Sequence, residues 1–96
     1  MRNELRNDRR EPERIRITVS GTDYKGMSFE EQTETIDLSP TGVSFYLDTR
    51  IFVSTFLSLN FNVRSNLLGH SGKLQALVVR IDSSRSGKQL VAVQIR

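Results

Sequence analysis

Residues 57–63 read Leu57-Ser58-Leu59-Asn60-Phe61-Asn62-Val63, apolar at each odd number and polar at each even one. A period of two is a β-strand with one buried and one wetted face; a helix would space its apolar residues by three and four. Strands wet on one side belong to antiparallel sheets, because parallel strands are covered on both faces. The same alternation recurs on either side of this stretch. Downstream, residues 73–82 predict a fifth strand, and Val91, Val93 and Ile95 mark the core face of a sixth over Leu90–Arg96. Upstream, Val43, Phe45 and Leu47 alternate with Ser44, Tyr46 and Asp48, a threonine-rich run at 31–37 predicts a weaker strand, and Ile15, Ile17 and Val19 alternate with Arg16, Thr18 and Ser20.

The segments between are rich in turn formers. Ser20 to Gly26 predicts a loop, Asp37 to Gly42 a turn marked by Pro40, Asp48 to Val53 a connection with room for a short helical turn, Asn66 to Gly72 a two-glycine turn, and Ser83 to Lys88 a hairpin loop with Gly87. Six short strands and no long helix imply an antiparallel barrel or sandwich. Closure removes exposed strand edges, so the expected fold is an all-β, six-stranded antiparallel barrel over residues 15–96. Residues 1–14 carry no hydrophobic period and include Pro12, which predicts a flexible arm ahead of the barrel.

The 96 residues support one core. Hydrophobic residues make up 36% and charged residues 26%, a globular balance. The apolar runs fall far short of the roughly 20 residues that span a bilayer. The start has no apolar stretch after its charges, unlike a secretion signal, and there are no cysteines. These features lead to the expectation of a cytoplasmic protein with no membrane insertion. The net charge is +3, but 11 of the 14 basic residues are arginine, and six of those lie within residues 1–16 against four acids. That local excess is too small for a general nucleic-acid arm, so the placement of single arginines matters more than bulk charge.

Catalytic chemistry has little to build on. His70 is the lone histidine, set in a glycine-flanked loop, and without a second histidine or a cysteine neither a transition-metal site nor a nucleophile–base pair assembles. Glu30, Glu31 and Glu34 are split across strand faces by the alternation and read as a solvated edge. No Walker or dinucleotide glycine fingerprint is present. The expectation is a non-enzymatic protein with no metal and no cofactor.

Two polar segments offer a more specific chemistry: Arg9-Arg10-Glu11-Pro12-Glu13-Arg14 ahead of the first strand, and Asp37-Leu38-Ser39-Pro40-Thr41-Gly42 between the second and third. Arginine forks bond the O6 and N7 acceptors of guanine and neutralise phosphate. A carboxylate accepts from the N1–H and N2–H₂ donors on guanine's other edge. Ser39 adds a hydroxyl, and Gly42 permits a tight turn and close backbone approach. Each segment alone has an ordinary structural explanation, as a solubilising tail or a capped turn. Both together describe a site for a guanine carrying phosphate.

This pairing resembles the PilZ domain family, whose hallmarks are Arg-x-x-x-Arg and a later Asp/Asn-x-Ser-x-x-Gly. Arg10 and Arg14 fit the first with Arg9 as an additional arginine; Asp37, Ser39 and Gly42 fit the second, followed by the apolar Val43-Ser44-Phe45. The resemblance spans residues 9–96. It implies a six-stranded barrel that senses the bacterial second messenger cyclic di-GMP, with an arm that closes over the ligand and relays the signal to a downstream effector protein or domain. It further implies that Arg9, Arg10 and Arg14 contact phosphates and the guanine O6/N7 edge, that Asp37 accepts from the guanine amine and imide, that Ser39 bonds the ligand, and that Gly42 holds the turn. Two departures stand out: Ala92 occupies a last-strand position where many members have glycine, and the sequence stops at Arg96 where many members continue into a C-terminal helix, which leaves open a minimal domain or a fragment of something longer. Two other readings remain open. A ligand-free barrel that uses its arm for protein contacts would keep the fold alone. A single-stranded nucleic-acid barrel would need exposed aromatic platforms, for which only Tyr24 and Tyr46 are candidates, since Phe45 and Phe61 fall on core-facing positions; neither DNA nor RNA is the expected partner.

Overall fold

The computed structural model describes residues 14–65, 70–84 and 86–96. Six strands follow in order: β1 (Arg16–Thr22), β2 (Ser28–Leu38), β3 (Gly42–Leu47), β4 (Phe56–Ser65), β5 (His70–Ser83) and β6 (Gln89–Ile95). All neighbours are antiparallel, and the sheet closes in the order β1-β2-β3-β6-β5-β4. Closure is made by β1, which pairs with β2 on one side and with β4 on the other. Every strand therefore has a neighbour on each side, and among the described residues there is no helix. The expected six-stranded antiparallel barrel is the observed fold.

The period-two residues turn inward as their pattern requires. Ile15, Ile17, Val19, Val43, Phe45, Leu47, Leu57, Leu59, Phe61, Val91 and Val93 are all buried, while Ile95 packs half-buried against them. Leu38 and Ile51 also belong to this core, although one stands beside a turn and the other in a connection. Each large aliphatic or aromatic side chain buried this way contributes about 1.5–3 kcal/mol of hydrophobic driving force, opposed by chain entropy.

Three expectations are corrected. The loop expected from Ser20 to Gly26 is shorter, because β1 runs on to Thr22 and β2 already starts at Ser28, not 31. Gly21 is a strand glycine rather than a turn glycine: a Cβ there would stand 2.7 Å from Leu57 Cδ2 and 3.2 Å from the Phe56 carbonyl. Its place is a close approach of β1 to β4. The segment 48–55 contains bends and a turn but no helical turn. His70 and Gly72, expected in a loop, belong to β5, with His70 in register opposite Ser65.

Within the acidic cluster, Glu30 and Glu34 are exposed and the ladder pairs this part of β2 with β1, so the solvated reading holds for them but not for Glu31. Glu31 is half-buried, and its carboxylate accepts hydrogen bonds from the Asp48 amide (2.7 Å), the Thr49 amide (3.0 Å) and the Thr49 hydroxyl (2.7 Å). It fastens the β3–β4 connection to the barrel.

Antiparallel closure sorts the connections to two ends. The start of β1, the β2–β3 turn and the end of β6 share one rim; the β1–β2, β3–β4 and β5–β6 connections share the other.

Candidate functional site

The first rim is organised by Ile15 and Thr35. The Ile15 amide donates to Thr35 Oγ1 at 2.9 Å, and the Thr35 amide donates to the Ile15 carbonyl at 2.9 Å. Thr35 is fully buried, so these bonds are made away from water and fix where the chain enters the barrel. Arg14, the residue immediately before this clasp, is exposed. Arg9 and Arg10 lie outside the described residues.

Just past Thr35 the β2–β3 ladder shifts register, Thr35 pairing with Phe45 but Asp37 with Ser44. Ile36 is therefore the extra residue of a bulge, a device that bends a strand and re-aims the side chains beside it. Asp37 follows directly and is half-buried, two residues beyond the partner of Ile15. The clasp and the bulge thus bring the Arg14 junction and Asp37 to one rim.

The turn after Asp37 is held by Ser39. Its amide donates to the Gly42 carbonyl at 2.9 Å, and its hydroxyl accepts from the amides of Thr41 (3.3 Å) and Gly42 (3.1 Å). The hydroxyl proton points to the Gly42 carbonyl at 3.2 Å, an oxygen already served by the Ser39 amide. This is a serine-capped turn in which the Thr41 hydroxyl, 3.5 Å from Ser39 Oγ, is a second and more distant partner.

Gly42 has a different reason for being glycine than turn flexibility. Its φ is not positive, and it lies opposite Gln94 in the β3–β6 ladder, where an added Cβ would meet the Val93 carbonyl at 3.1 Å. The turn is tied further to β6 by the Ile95 amide, which donates to the Thr41 carbonyl at 2.9 Å. Beside it, Arg96 donates from Nη1 to Gln94 Oε1 at 3.3 Å and is exposed.

The structure therefore brings Arg14, Asp37, Ser39 and Gly42 to one end of the barrel. It adds Thr35, Gln94 and Arg96, which the spacing of the two motifs does not reveal. The threonine-rich pattern of 31–37 hinted at a polar role for β2 but not at which hydroxyl turns inward. Among the described residues, no group of three or more His, Cys, Asp or Glu is placed to hold a metal ion, and no helix is long and apolar enough to cross a membrane.

The described residues thus form a small closed antiparallel barrel with a polar turn and a chain junction on one rim. The chain is a member of the PilZ domain family, whose family model matches residues 4–96. These are binding and receptor domains, generally for cyclic di-GMP, rather than catalytic ones. Among solved structures, that of the Bacillus subtilis inhibitor of motility, MotI/DgrA, is similar at a TM-score of 0.64 and 20% identity, over 100% of this chain and 44% of that one. This chain thus spans less than half the length of that neighbour, and at that identity the likeness concerns the fold. A sequence comparison with curated proteins gives no match.

Proposed function

We propose that this domain is a cytoplasmic receptor for cyclic di-GMP. Arg9, Arg10 and Arg14 grip the phosphates and the O6/N7 edge of guanine; Asp37 accepts from the guanine N1–H and N2–H₂ groups. Ser39 swings its hydroxyl proton from the Gly42 carbonyl to a ligand oxygen, and Gly42 keeps the turn close to β6. The occupied rim then relays the signal to an effector.

The observation that supports this reading is the mutual Ile15–Thr35 bonding, which holds Arg14 at the rim that also carries Asp37 and the Ser39 turn. Guanidinium donors and a carboxylate acceptor are the two complementary halves that a guanine needs. Calorimetric titration of the chain with cyclic di-GMP, with GTP and cyclic di-AMP as controls, tests it. Selective binding of cyclic di-GMP at micromolar concentration or tighter is expected; the absence of both heat and chemical-shift change would remove the proposal.

A further inference from the structure

The outer wall of the barrel beside the Ser39 turn is made of small residues. Val43, Phe45, Val91 and Val93 fill the core, so alternation turns Gly42 and Ser44 on β3, and Ala92 and Gln94 on β6, to the outside. Gly42 lies opposite Gln94 and Ser44 opposite Ala92. On one side of this pair the ladder sets Asp37 against Ser44; on the other it sets Arg80 against Ala92. One row therefore crosses four strands as Asp37, Ser44, Ala92 and Arg80. Between its carboxylate and its guanidinium stand only a hydroxymethyl and a methyl group. The bare stretch runs on to the turn, where a Cβ on Gly42 would come within 3.9 Å of Ser39 Oγ. Small residues on a strand leave room for another group to approach the sheet closely.

Ser44 supplies an independent sign that something does. It faces away from the core, yet it is only 9% exposed. Among the described residues its hydroxyl has no hydrogen-bond partner. A polar group kept from water without a partner costs stability, and one that persists calls for an explanation. Packing supplies none, because a methyl group, as at Ala92 directly across, would fill the place as well. The Ser39 hydroxyl differs, since the amides of Thr41 and Gly42 already donate to it.

The neighbouring carboxylate indicates what the Ser44 hydroxyl is for. In the proposed site Asp37 accepts from guanine N1–H with one oxygen and from one N2 hydrogen with the other. The amine has a second hydrogen, turned away from N1, which that carboxylate does not reach. An acceptor one strand over is placed for it, because directly opposed residues hold their Cβ atoms about 4.5–5.5 Å apart.

We propose that Ser44 is a specificity-determining residue of the nucleotide site. Guanine lies over the bare wall of β3 and β6, and Ser44 Oγ accepts the second N2 hydrogen. This rests on the cyclic di-GMP reading and adds to it the residue that recognises the 2-amino group.

Cyclic di-IMP is the probe, since it keeps the phosphates, O6, N7 and N1–H but lacks that amine. Calorimetry on the full chain compares it with cyclic di-GMP for the parent, Ser44→Ala, Ala92→Leu and Asn60→Leu. The parent is expected to prefer cyclic di-GMP. Ser44→Ala should weaken cyclic di-GMP about three- to tenfold, the range of a neutral hydrogen bond. It should leave cyclic di-IMP nearly unchanged, so the preference narrows by the same factor. Its melting temperature should stay level or rise, because alanine removes an unpartnered buried group; a purely structural hydroxyl would lower it. Ala92→Leu plants a side chain on the bare wall and should weaken both nucleotides. Asn60→Leu puts the same side chain on the exposed outer face of β4 and should bind as the parent does.

Parent-like binding of both nucleotides by Ser44→Ala, or equal weakening of both, overturns the proposal. So does parent-like affinity in Ala92→Leu. Those results leave the cyclic di-GMP reading standing, since the parent still binds and Arg14→Ala still loses affinity. A parent that binds neither nucleotide brings down that reading, and the role of Ser44 with it.

Discussion

Thr35 shows how a single side chain ties sequence to site. Its hydroxyl receives the amide of Ile15, twenty positions away, and no water competes for that bond. Thr35→Val keeps the shape and removes the acceptor, leaving a buried amide unsatisfied. The expected loss of stability is about 1–3 kcal/mol, read as a lowered urea midpoint with unchanged slope. The proposed ligand contacts behave differently. Arg14→Ala or Asp37→Ala removes a charged hydrogen-bond partner from the nucleotide, which should weaken cyclic di-GMP binding by about 1.5–3 kcal/mol, or roughly ten- to a hundredfold. Calorimetry would read that loss, while an unaltered far-ultraviolet spectrum shows the barrel intact; parent-like binding by both variants would mean the site is misassigned. The spacing of Asp37, Ser39 and Gly42 was legible because a capped turn is made by neighbours in the chain. Thr35 was not, because its burial exists only once the barrel has closed around it.

At the scale of elements, the alternation of β1, β3, β4 and β6 could be read directly, since each has one face in the core and one in water. The extensions of β1 and β2 could not. Gly21 looks like a loop residue in one dimension and is a packing residue in three, where Leu57 and the Phe56 carbonyl leave no room for a Cβ. Ser28, Phe29 and Glu30 have no strong alternation of their own and are strand because Thr22, Gly21 and Ser20 lie across from them. Glu31 carries the same lesson into the loops: its carboxylate closes the β3–β4 connection from a different strand. Glu31→Ala deletes three bonds to a charged acceptor, in part replaced by water at this half-exposed place. A net cost of about 1.5–3 kcal/mol is expected. Amide exchange at Asp48 and Thr49 should accelerate ahead of global unfolding, whereas unchanged exchange there would show that the loop is held by other means.

The whole molecule is a ring in which every strand has two partners, so neither rim can open without breaking the closed ladder. The proposed nucleotide binding at the Ser39-turn rim is then linked to global stability. At cyclic di-GMP a hundredfold above Kd, the folded state gains about 2.7 kcal/mol, which for a domain of this size corresponds to roughly 10–20 °C in Tm. Arg14→Ala should reproduce that gain only at about ten- to a hundredfold more nucleotide, because the shift depends on the ratio of ligand to Kd. Glu31→Ala provides the contrast, since its loop lies at the opposite rim. It should start from a lower Tm, yet gain the same free energy at each nucleotide concentration, because well-separated sites add with little coupling. Thermal melts of parent, Arg14→Ala and Glu31→Ala across a nucleotide series separate the two behaviours. If Glu31→Ala instead moved the nucleotide curve as far as Arg14→Ala does, the two rims would be energetically one site, and the division of labour between them would have to be abandoned.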